Sequence, residues 1–315
     1  MIKGLFAGAS PFSQLIMLVF FMMAGFLLLM LAGILLAPFI LGIPLSELMN
    51  FFNSGTVTLN LSLMRYIQVL QSFGLFIVPA FIAAYLFSGT AIGYLNLRQT
   101  TTFKWFSFVF FLMLAAIPCI NLLAALNEMI VFPKCISGLE YRLRDLEESA
   151  RQITELFLNV DNAGGMFFNI FMMAILPALG EELIFRGLLQ KIFTRWTGNI
   201  HVAIIITGFL FSLMHLQFYG FFPRWLLGVL FGYLLVWSGT LWVPILAHFV
   251  NNTVAIIVSY LTHKEMLSEK VEEFGANWHE LPVTILALAI CAWLLWKMYK
   301  NSNNIPESSS GLIHN

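Results

Sequence analysis

The sequence predicts an all-α, polytopic membrane protein of about eight transmembrane helices around a polar cavity, and three observations carry that prediction. Of its 315 residues, 60% are hydrophobic and only 10% are charged, with a mean hydropathy of +0.87. Apolar runs recur at close to the ~20 residues that about 30 Å of hydrocarbon requires. A few ionisable side chains lie inside those runs rather than between them. At bilayer depth every backbone polar group needs an internal partner, so helices are the expected spanning elements.

Taken in order, the apolar runs fall at residues 15–40, 66–88, 104–126, 164–183, 200–217, 223–238, 240–261 and 281–298, the sixth and seventh separated only by Ser238-Gly239-Thr240. The chain reads as one membrane domain without an internal repeat. Residues 1–135 supply amino-terminal helices poor in polar groups, a shell or anchor. Residues 136–160 form an amphipathic extramembrane helix, residues 161–262 a helical core, residues 263–300 a polar connection and the last span, and residues 301–315 a disordered tail. The first run is too long for a signal-peptide core and is read as a retained anchor. Eight spans place both termini on one side. Lysines and arginines occur on both sides, so charge alone does not choose the orientation; the expected arrangement has cytoplasmic termini in the plasma (inner) membrane.

Sixteen basic residues balance sixteen acidic ones, so no basic stripe suggests nucleic acid as a partner. Cys119, Cys135 and Cys291 form no CxxC pair and read as small hydrophobes rather than disulfides or thiolate ligands. In residues 137–158, Leu139, Leu143, Leu146, Ala150, Ile153 and Phe157 recur at spacings of four and three, a helical apolar stripe. Glu140 with Arg144, and Glu147 with Arg151, stand four apart and would support that helix. Its plain role is to rest on the bundle or the lipid headgroups; its sharper one is to gate a site beneath it.

The charge inside the apolar runs is concentrated. Gly180-Glu181-Glu182-Leu183-Ile184-Phe185-Arg186 ends the fourth run, and each charge there costs several kcal/mol unless paired or used. Glu182 and Arg186 are helical neighbours, and arginine can hold a carboxylate with two hydrogen bonds. Glu181 is turned by about 100° onto another face. A structural brace accounts for Glu182 and Arg186 but leaves Glu181 unexplained. Pro177 cannot donate to the Met173 carbonyl, which predicts a kink or opening near Glu181. The fifth run holds Phe211 and His215 four apart, and the seventh holds His248 and Asn252 four apart. Each pair alone is compatible with packing. Glutamates, histidines and an amide drawn from three runs point instead to a convergent cavity.

Glu181-Glu182-x-x-x-Arg186, Phe211-x-x-x-His215 and His248-x-x-x-Asn252 resemble the three ordered motifs of the CPBP family, the type II CAAX prenyl endopeptidases and their bacteriocin-processing or self-immunity (Abi) relatives. The resemblance covers residues 164–261. It implies an intramembrane endopeptidase acting on a peptide or membrane-protein substrate within the lipid bilayer. It also implies roles: Glu181 as the base that activates water, assisted by His215; His248 and Asn252 as stabilisers of the oxyanion; Glu182, Arg186 and Phe211 as structural support. There is no HExxH helix, but Glu181, His215 and His248 would make a three-ligand Zn2+ site with one open position. A metalloprotease and a metal-free glutamate hydrolase both stay open. So do a proton- or ion-coupled transporter, which would need a polar path through both leaflets, and a non-catalytic immunity or scaffold protein.

Overall fold

The computed structural model describes residues 3–44 and 60–302, and among them every regular element is helical. The first helix, α1 (Pro11–Leu41), starts where the Ser10 side chain accepts the Ser13 N–H, with proline where a missing donor costs nothing. It stops at Gly42, whose φ of 68° is the left-handed conformation glycine adopts without strain. Next come α2 (Leu61–Ser88) and α3 (Phe103–Glu128), then the amphipathic α4 (Ser137–Leu158). The remainder comprises α5 (Ala163–Thr197), α6 (Ile200–Leu213), α7 (Phe221–Ser238), α8 (Trp242–His263) and α9 (Leu281–Ser302). The expected disordered tail lies, beyond Ser302, outside the described residues.

Among the described residues seven helices are long and apolar enough to cross a membrane, and the protein is a multi-pass integral membrane protein. Of the eight apolar runs, the exception is the fifth, α6. Its apolar run extends to residue 217, yet the helix ends at Leu213 and contains only 14 residues, roughly 21 Å of rise against the ~30 Å of a hydrocarbon core. The chain breaks there because Leu216 takes a left-handed φ of 54°, which a continuing helix does not accommodate. The fifth predicted run is therefore a short helix, paired along α7, that delivers a turn at its end.

That pairing depends on a close backbone approach. A Cβ added to Gly228 on α7 would lie 2.8 Å from the Cα of Gly208 on α6, so the two helices meet through glycine as small-residue membrane interfaces do. Gly228→Ala is expected to force them apart and cost about 1–3 kcal/mol, read as a lowered unfolding midpoint in detergent. An unchanged midpoint would show that the interface has slack.

Two of the long helices widen. In α2 the turn Ser72–Ile77, and in α5 the turns Ile170–Ile175 and Phe185–Leu189, are π-helical. The π turn of α2 and the first of the two in α5 each precede a proline, Pro79 and Pro177 respectively. A proline withholds the N–H that would close the preceding turn, and π turns recur where helices carry function. The opening anticipated near Glu181 is thus present on both sides of the α-helical stretch Leu176–Ile184.

Apolar packing forms two clusters. One joins Leu18, Ala80, Phe87, Leu183, Leu188 and Phe211; the other joins Val109, Leu112, Phe231, Leu234, Ala247 and Met298. The motif residues lie along the seam between them.

Helix α4 spans that seam from outside. At its amino end Glu140 accepts from the Phe132 N–H at 3.2 Å and pairs with Arg144 at 3.0 Å. Arg144 lies over the Tyr219 ring, 4.3 Å from its centroid. At its carboxyl end the Phe157 carbonyl accepts from Asn169 Nδ2 at 2.6 Å. The expected Glu147–Arg151 pair does not form. Arg151 turns to Glu148 and Glu155 on the solvent face, while Glu147 points at the bundle and accepts the Tyr219 N–H at 3.1 Å. An unpaired buried N–H costs more than an exposed ion pair returns, which decides the competition.

The hydrogen bonds from Arg151 and then Gln152 hold the Glu148 carboxyl at about 2, below its ordinary 4.5. Arg144 first, helped by the Phe132 N–H, likewise holds Glu140 low. For carboxyls depressed in the folded state, the contribution is complete above the ordinary value and is lost as pH falls through the folded one. Hydrogen-exchange protection of α4 amides, corrected for intrinsic rates, should therefore fall between 4.5 and about 2. Protection constant across that window would show that these pairs do not hold the helix.

Candidate active site

The three motifs converge. A cavity of about 760 Å³ is bounded by α2, α3, α4, α5, α7 and α8 and by the turn after α6, and Glu181, Phe211, His215, His248 and Asn252 all line it. A second pocket of about 530 Å³, between the end of α4 and α8, contains none of these residues.

The two adjacent glutamates have separate surroundings, as their 100° offset requires. Glu182 and Arg186 are both fully buried. Arg186 Nη1 donates to Glu182 Oε1 at 2.8 Å, and Nη2 donates to the Gly228 carbonyl at 3.0 Å. The guanidinium carbon also lies 4.6 Å from the Phe211 ring centroid and 5.4 Å from that of Phe231, so rings from both apolar clusters enclose the cation. Glu181 is 8% exposed. No hydrogen bond from the described residues reaches it, and its Oε2 is buried without a protein partner.

Each histidine is anchored through one ring nitrogen. His215 Nδ1 lies 2.9 Å from the Phe211 carbonyl, one helical turn back. A carbonyl only accepts, so Nδ1 carries the proton and Nε2 is left for the cavity. His248 Nδ1 lies 3.0 Å from Glu182 Oε1, making Glu182 the shared acceptor of Arg186 and His248. Phe231 stacks on His248 with centroids 5.4 Å apart and an interplanar angle of 24°. Phe211 meets His215 and His248 edge-on, at 5.3 and 5.7 Å. Its ring is the spacer that sets the two imidazoles.

Asn252 answers the proline in α5. Its Nδ2 donates at 3.1 Å to the Met173 carbonyl, the group that Pro177 cannot satisfy. Its Oδ1 accepts from Asn251 Nδ2 at 3.2 Å. One amide N–H of Asn252 is therefore committed to the backbone of α5, and the second is free of that bond.

Among the described residues no group of three His, Cys, Asp or Glu side chains is close enough together to hold a metal ion.

Some of the wall escaped the sequence reading. Gln68, Gln71 and Ser72 of α2 and Ile120 of α3 reach the cavity, although the first three spans read as a shell. Residues 68, 71 and 72 share a helical face, but no chemical motif marks them. Arg224 stands in the first turn of α7 and lines the cavity with Gln217. A lone arginine at the head of an apolar run was the available signal.

Residues 163–254 match the family described as Type II CAAX prenyl endopeptidase Rce1-like. The sporulation-killing factor biosynthesis protein SkfC of Bacillus subtilis (strain 168) is 35% identical over 91 residues, 27% of this chain and 18% of that protein. The membrane-embedded CAAX protease MroQ of Staphylococcus aureus (strain USA300) is 33% identical over 116 residues, 35% of this chain and 46% of that protein. The uncharacterized protein YpbD of Bacillus subtilis (strain 168) is 30% identical over 93 residues, 27% of this chain and 43% of that protein. The aligned segments span less than half of each relative's length. No solved structure matches. The matched segment holds all three motifs, which the fold gathers around one cavity, and in that segment the chain is similar to the CPBP family.

Proposed function

We propose that this protein is an intramembrane endopeptidase that hydrolyses a peptide bond by a glutamate-activated water. The observation that carries the reading is the division of the glutamate pair: Glu182 is held through Oε1 by Arg186 and His248, whereas Glu181 faces the shared cavity and accepts no hydrogen bond from the described residues. In the proposed step, Glu181 takes a proton from water as the water oxygen bonds to the scissile carbonyl carbon. The carbonyl oxygen becomes an oxyanion. As the C–N bond breaks, the proton passes from Glu181 to the leaving amine. His215, with Nδ1 tied to Phe211, presents Nε2 to the same space and orients the water. His248, its Nδ1 held by Glu182 Oε1, is the first donor to the oxyanion. The free N–H of Asn252 is the second donor to the oxyanion.

The substrate reading is a peptide or membrane-protein segment entering the cavity in the bilayer. A transporter would spread its polar groups along a path through both leaflets, whereas the motif side chains here share one cavity. The test is cleavage of a peptide panel by purified wild type, Glu181→Ala and His215→Ala, with metal content measured in each. Cleavage by wild type that falls by about 10²–10⁴-fold in Glu181→Ala supports the reading. Equal cleavage by all three proteins sinks it.

A further inference from the structure

One cation on the cavity wall belongs to none of the three motifs. Arg224 reaches the cavity that holds Glu181, His215 and His248, and neutral acceptors from one residue hold it. Its Nη2 donates to Gln217 Oε1 at 2.9 Å and its Nη1 to the Gln217 carbonyl at 3.5 Å. Among the described residues it forms no ion pair, in contrast to Arg186 with Glu182. Glu147 of α4 and Glu181 attract it from farther off. A guanidinium kept in a partly dry cavity costs free energy that a fixed carboxylate would offset. Leaving the position open, with the planar fork already oriented by Gln217, suits a site whose ligand brings the carboxylate.

The neighbours of Arg224 define the rest of that ligand. Leu227 and Phe231 follow at three and seven residues along α7 and line the same cavity, so the cation stands at one end of an apolar wall. Building on the peptidase reading of Glu181, we infer that Arg224 is the specificity residue of this cavity. It binds a carboxylate of the peptide, either its C-terminal group or an Asp or Glu side chain, while apolar residues of the peptide lie against Leu227 and Phe231.

Binding tests this without relying on turnover. The full chain carrying Glu181→Gln, in detergent, is titrated with three fluorescein-labelled apolar octapeptides of leucine and alanine. One has a free C-terminal carboxylate, one is C-terminally amidated, and one is amidated with a single internal glutamate. A carboxylate peptide should bind at least about tenfold more tightly than the neutral amide. Arg224→Gln should abolish that preference, and Arg224→Lys should keep part of it. A gain by the first peptide identifies the C-terminal group; a gain by the third identifies an acidic side chain. Equal affinities for all three peptides, or a preference that survives Arg224→Gln, overturn the inference. If Arg224→Gln does not fold, a preference undiminished in Arg224→Lys at high salt overturns it equally, because a charge contact weakens with screening. Absence of cleavage by wild type would sink the peptidase reading and leave this result standing.

Discussion

Glu182→Ala should be among the most destabilising single substitutions in the chain, costing about 3–5 kcal/mol. The variant leaves Arg186 fully buried with only the Gly228 carbonyl as an acceptor, and it releases His248 Nδ1. A buried charge stripped of its partner costs far more than the intact pair contributes, since the pair's attraction chiefly repays desolvation. The loss should extend beyond α5, because Glu182 holds α8 through His248 and Arg186 holds α7. Thermal or denaturant unfolding in detergent measures it. A stability within about 1 kcal/mol of wild type would mean the pair is not a brace. Exchanging both members, Glu182→Leu with Arg186→Met, should recover much of the loss, since apolar replacement of a whole buried pair is often neutral.

Glu181→Gln should do the opposite. Peptide cleavage is expected to drop by about 10²–10⁴-fold, while the unfolding midpoint stays level or rises. The side chain accepts no hydrogen bond from the described residues, so the substitution removes a base and breaks no contact. It also takes a negative charge out of a poorly solvated site, which favours the folded state. Two neighbouring glutamates would then report separately, one through stability and one through turnover. Cleavage by Glu181→Gln at the wild-type rate would move the base elsewhere on the cavity wall.

The helical character and the membrane location follow from composition and run length, which act residue by residue and need no knowledge of neighbours. The split between Glu181 and Glu182 was equally legible, because the 100° step of a helix separates adjacent side chains whatever they later meet. The motif spacings placed Phe211 with His215 and His248 with Asn252 on common faces for the same reason.

Other features depend on what lies across the interface. Glu147 could pair with Arg151 by spacing, yet the Tyr219 N–H claims it. Asn252 reads as an oxyanion donor, yet one of its N–H groups answers the carbonyl that Pro177 leaves open on another helix. Hydropathy extends the fifth run to residue 217, but the helix stops at Leu213 and carries His215 into a turn. Arg224 stands near the start of an apolar run, and only the packing of α7 places it on the cavity wall. The sequence by itself determined helices, faces and the grouping of costly charge, all of them local consequences of a repeating backbone. Which partner each polar group takes was decided only by the tertiary structure, because a buried donor or acceptor binds whatever unsatisfied group the packing brings within reach.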